Sequence, residues 1–108
     1  MSGGVGASVA NPLRGEAALM LGGRAVMLRP TFAALVAAEG ELGPLFALVE
    51  RAAGGGLTLA EFAGLLWHCV RDTAGWTRAD FAEALVEAGL AAATPVLRVL
   101  LGQILGGR

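Results

Sequence analysis

The sequence contains no lysine and no tyrosine, one cysteine, one histidine and only two serines. All eight basic residues are arginine, they are scattered, and with nine acidic residues the net charge is −1. Nucleic-acid binding therefore has no electrostatic footprint here. A single cysteine excludes an intrachain disulfide and a thiolate cluster for zinc. The histidine, His68, is the sequence neighbour of Cys69, and adjacent helical residues point about 100° apart, so the two are not a ready metal pair. Ser2 and Ser8 both lie near the start of the chain, which leaves no Ser-His-Asp set. No window reaches the roughly 18 apolar residues of a membrane span. Residues 1–10 lack the basic start and apolar run of a signal peptide. A cytoplasmic protein is the expectation.

Hydrophobic residues make up 56% of the chain, and the mean hydropathy is +0.67. That is high for a small soluble domain. Only 16% of residues are charged, so part of the surface must be apolar, and such surface more often marks a binding site than an accident. Alanine, glycine, leucine and arginine together suggest a GC-rich bacterial genome. The 108 residues suit one domain. Residues 1–12 have no period and read as a flexible tail, leaving a domain over 13–108.

The clearest start signal is Thr58 followed three residues later by Glu61, a capping box. Behind it Phe62, Leu65, Leu66, Cys69, Val70 and Thr73 recur on one helical face. The spacing predicts a helix over 58–74, ended by Gly75. Upstream, residues 14–29 read as a β-hairpin turning at Gly22-Gly23, which tolerate positive φ. That register sets Leu21 opposite Arg24, Leu19 opposite Val26 and Ala17 opposite Leu28 on a face that docks on helices. The other face carries Met20, Met27 and a Glu16–Arg29 ion pair expected at a wet surface. Met20 and Met27 either pack under a neighbouring element or offer an adaptable contact surface.

Thr31 caps a helix through about residue 39, with Phe32, Leu35 and Val36 inward. Gly40 and Gly43 break the chain, and Pro44 opens a helix through about residue 53 with Leu45, Leu48, Val49 and Ala52 on one face. Thr77 caps the next helix, with Phe81, Ala84, Leu85 and Ala88 inside and Gly89 at its end. Thr94 and Pro95 are placed at the cap and first position of a last helix over 95–105. It is apolar nearly all round, so it must be buried on more than one side. Either it completes the core or it faces a partner or a second copy.

No catalytic set emerges. Cys69 falls on an apolar face, where a free cysteine behaves as a small hydrophobe. Glu39 with Glu41, and Glu83 with Glu87, read as solvated faces. Trp67 and Trp76 sit either half-buried at helix junctions or at a binding hot spot.

The order of elements adds a resemblance. It rests on Arg14-Gly15-Glu16 entering the hairpin, Leu28-Arg29-Pro30-Thr31-Phe32 leaving it, and residues 39–42. The helix start at 57–66 and the Glu87-Ala88-Gly89-Leu90 junction complete the set. Over residues 11–105 the chain resembles the gene transfer agent and phage tail protein family of alphaproteobacteria, described both as tail tube protein and as tail assembly chaperone. The resemblance implies a non-enzymatic protein without cofactor or metal. It would act in the cytoplasm during tail assembly, holding the tape-measure protein soluble and helping to recruit the major tail protein. A structural tail tube component and a small homo-oligomeric adaptor are the alternatives. A tube wall needs substantial β-structure, and one hairpin supplies little, so the chaperone is the expectation.

The fold expected is α+β: an N-terminal two-stranded hairpin packed on a compact bundle of about five short helices. Partner binding is assigned to Met20, Met27, Trp67, Trp76, Val96, Val99, Leu100 and Ile104.

Overall fold

A computed structural model describes residues 16–106; the expected tail over 1–12 lies outside them. Two strands, β1 (Ala17–Leu21) and β2 (Arg24–Leu28), form an antiparallel hairpin. Five helices follow: α1 (Phe32–Leu42), α2 (Leu45–Ala53), α3 (Leu59–Cys69), α4 (Arg78–Ala88) and α5 (Leu90–Gly106). The fold is α+β, as the sequence predicts. The hairpin register is also the predicted one, with Ala17 opposite Leu28, Leu19 opposite Val26 and Leu21 opposite Arg24. Gly22 and Gly23 take φ of 59° and 80°, which a side chain would resist.

The inner hairpin face is the floor of the main core. Leu19, Leu21, Val26 and Leu28 are buried with Leu66 and Cys69 of α3, Phe81 and Leu85 of α4, and Ala93, Val96 and Leu100 of α5. Phe81 is fully buried between two indoles. Its ring centroid lies 5.5 Å from that of Trp67 and 6.1 Å, edge-on, from that of Trp76. A second, smaller core joins Ala38 of α1, Leu48 of α2 and Leu65 of α3. α3 therefore lies between the two cores, with Leu66 facing one and Leu65 the other. The capping box that starts α3 is complete. Thr58 Oγ1 accepts from the Glu61 N–H at 3.1 Å, and Glu61 Oε1 accepts from the Thr58 N–H at 3.0 Å.

Five departures from the sequence reading shape the fold, besides Ala88, expected inside and exposed at the end of α4. First, α3 ends at Cys69, not near residue 74. Val70 leaves the helix with ψ 127° and bridges Leu28. Arg29 N–H donates to the Cys69 carbonyl at 2.7 Å and Arg71 N–H to the Met27 carbonyl at 2.9 Å. The free side of β2 thus outcompetes one more helical turn. Second, Glu16, expected at a wet surface, is buried at 4% exposure, and its carboxylate accepts from Arg71 at 3.0 Å. Because residues 69–71 run beside β2, Arg71 reaches Glu16 across the outer face of the hairpin. Third, Gly40 lies inside α1, which continues to Leu42. Fourth, the inner face of α1 is Ala34, Leu35, Ala38 and Leu42; Phe32 is 84% exposed and Val36 50%. From residue 32 to residue 38 every residue of α1 is apolar, so no polar position marks the outer face and periodicity alone cannot orient the helix.

Fifth, α5 begins at Leu90, five residues before Pro95. Proline has no N–H to give to the preceding turn. The Thr94 hydroxyl donates to the Leu90 carbonyl at 3.2 Å instead of capping the helix. Within α5, Val96 and Leu100 are core residues at 5% and 0% exposure, not partner-facing ones. A charge at Leu100 would consequently strike the core.

Leu66 tests the central place of α3. Leu66→Ala should cost about 2–5 kcal/mol in urea unfolding, as a cavity in a tight core does. Leu66→Asp should lose cooperative unfolding altogether, since the buried carboxylate has no partner. A cooperative transition in the aspartate variant would contradict this core.

Candidate partner-binding surface

The eight residues expected to bind a partner do not fall on one surface. Val96 and Leu100 are buried, while Val99 on the same helix is 41% exposed and Ile104 half-buried. Trp67 is half-buried against Phe81. Met20 stands 59% exposed on the outer hairpin face. Met27 and Trp76 do come together. With Arg24, Arg71 and Asp72 they line a cleft of about 350 Å³ beside β2. The Arg24 guanidinium lies 4.3 Å from the centroid of the Trp76 ring, a cation–π contact between two residues of the cleft lining.

The more exposed apolar side chains lie elsewhere. Phe32 on α1 and Phe46 on α2 are 84% and 74% exposed. Leu59 of α3 and Leu90 of α5 border an uncharged groove of about 280 Å³, lined also by Ala52, Leu57, Phe62 and Leu97. The sequence reading missed Phe32 because it assigned that residue to the core. The signal available was composition: with so little charge, apolar side chains had to reach the surface.

Polar groups tie the helices together. Arg78 at the start of α4 forms a bidentate pair with Glu41 near the end of α1, at 2.6 and 2.5 Å. His68 Nε2 of α3 meets the same carboxylate at 2.7 Å. One carboxylate therefore joins α1, α3 and α4. Gly64 makes room for it, since a Cβ there would lie 2.8 Å from Arg78 Nη2 and 3.3 Å from the Leu42 side chain. The Arg78 hydrogen bonds, followed by that from His68, lower the Glu41 pKa from the usual 4.5 to about 2. Arg51 and Glu61 form a second pair, between α2 and α3.

Nucleophilic chemistry finds no footing at Cys69. Burial pushes its thiol pKa up to about 12, and the side chain is 1% exposed, the opposite of the activated thiolate that catalysis uses. Among the described residues, no group of three or more His, Cys, Asp or Glu could hold a metal ion, and no single helix is long and apolar enough to cross a membrane.

The Glu41 junction makes a pH prediction. A carboxyl group whose pKa is depressed by folding stabilises the fold above its unfolded value and loses that contribution as pH falls through the folded one. The window here runs from 4.5 down to about 2. Thermal unfolding of wild type and Glu41→Gln should differ most above pH 4.5 and converge toward pH 2. Parallel pH profiles would show that the junction contributes nothing to stability.

Comparison with curated proteins and with solved structures gave no match. A family model does match, over residues 14–107, and its description is phage tail tube protein, GTA-gp10. That span takes in the hairpin, all five helices and both cores. The chain therefore belongs to the GTA-gp10 family of phage tail tube proteins, a family of gene transfer agent and phage tail components.

Proposed function

We propose that this protein is a non-enzymatic tail assembly chaperone. It acts in the cytoplasm, binds the tape-measure protein through its apolar surface, and helps deliver the major tail protein to the growing tube. The observation that carries this reading is the exposure of two phenylalanines, Phe32 at 84% and Phe46 at 74%, in a chain with only 16% charged residues. Large exposed apolar side chains are a cost to an isolated domain unless something covers them. A chaperone must keep such a surface open and bind reversibly. Sparse charge also suits capture of an apolar client, because few side chains must be desolvated unpaired.

A second reading is a structural tail tube component, which the family description favours. Against it stands the strand content: among the described residues, strand is confined to the five-residue β1 and the five-residue β2. A tube wall built from this chain would be mainly helical.

Coexpression with the neighbouring tape-measure protein, followed by size-exclusion chromatography, separates the readings. A soluble complex is expected, with the tape-measure protein insoluble on its own. The double variant Phe32→Glu, Phe46→Glu should keep its helical circular dichroism and lose at least about tenfold in captured tape measure, the scale of two interface hot spots. Rings or tubes formed by this chain alone would support the structural reading instead.

A further inference from the structure

The hairpin has two edges, and the structure treats them differently. A two-residue turn closes on the hydrogen-bonded pair Leu21–Arg24, so in β1 the backbone groups of Ala17, Leu19 and Leu21 bond β2. Those of Ala18 and Met20 point the other way. The same parity is visible on β2, whose outward-pointing Met27 carbonyl accepts from Arg71 N–H. Residues 69–71 thus cover part of the β2 edge. Among the described residues, nothing pairs with the outward N–H and C=O groups of Ala18 and Met20. Both side chains are exposed as well.

Open edges are normally blunted by a charge, a proline or a bulge. β1, with the sequence AALML, has none of these. We infer that β1 pairs edge to edge, antiparallel, with β1 of a second copy of this chain. The register that pairs all five residues centres on Leu19. It sets Ala18 opposite Met20 of the copy, in a hydrogen-bonded pair, and places a small side chain against a large one on the outer face. It keeps inner face continuous with inner face. Charge agrees: neither edge carries any, and the register sets Glu16 opposite Gly22 of the copy, so no like charges meet. Ladder hydrogen bonds and one row of side chains engage far fewer than the roughly 20–30 residues a side of a stable interface. The dimer therefore forms reversibly. It stands independently of the chaperone reading, since it needs no other protein.

Sedimentation equilibrium of the purified chain from about 1 μM to about 1 mM tests it. A reversible monomer–dimer equilibrium is expected. Met20→Lys and, separately, Ala18→Lys should each weaken it at least about tenfold, because each puts a charge in the paired edge. Both positions are solvent-facing, so unchanged melting temperatures are expected. Amide exchange on the wild type should show protection at Ala18 and Met20 that grows with protein concentration. A chain that stays monomeric throughout overturns the inference, as does a dimer that ignores both lysines. Protection that arises only when the tape-measure protein is added would assign the edge to that partner and overturn the self-pairing.

Discussion

A two-stranded hairpin is at best marginally stable in water, and that constraint organises this molecule. β1 and β2 persist because one face of the pair, Leu19, Leu21, Val26 and Leu28, is buried by residues from three helices. Three of the five helices serve that burial. α3 supplies Leu66 and Cys69, α4 supplies Phe81 and Leu85, and α5 supplies Ala93, Val96 and Leu100. The same constraint explains why α3 stops early: by leaving the helix at Val70, the chain gives the free side of β2 hydrogen bonds from residues 69–71. That detour also carries Arg71 across the hairpin to Glu16.

Electrostatics plays a smaller part with few charges, and two of the ion pairs join helices. Glu41 receives both Arg78 and His68, and Gly64 leaves the space that lets Arg78 arrive. Solvent screens an exposed junction of this kind, so its value lies in fixing helix positions more than in overall stability. The apolar cores supply the latter.

The outer surface follows from composition. A small domain cannot bury all its apolar side chains, and with few charged residues the remainder must show. They show unevenly, as Phe32 and Val36 on α1, Phe46 on α2 and an uncharged groove beside α5. In a family of phage tail components, such a surface is suited to contact. The outward backbone groups of β1 offer an edge of a different kind, one whose hydrogen bonding is directional.

Local interactions were legible in the sequence. The capping box at Thr58, the cap at Thr77, the Gly22-Gly23 turn and the hairpin register all depend on neighbours within a few residues, and each stands in the structure as expected. The family was legible too, through the order of these elements. Tertiary structure alone decided what depends on competition between distant partners. α1 has no polar residue before Glu39 to mark its outside, so only packing on α3 could turn Leu35 and Ala38 inward and Phe32 outward. Val70 fits a helix period and a strand equally well, and the proximity of Leu28 settled the matter. Pro95 resembles a helix start, yet α5 begins at Leu90. Val96 and Leu100 could have faced a partner or a core by their spacing, and the hairpin lying beneath them made them core. Apolar periodicity says that a face must be covered; which neighbour covers it is set by the whole chain at once.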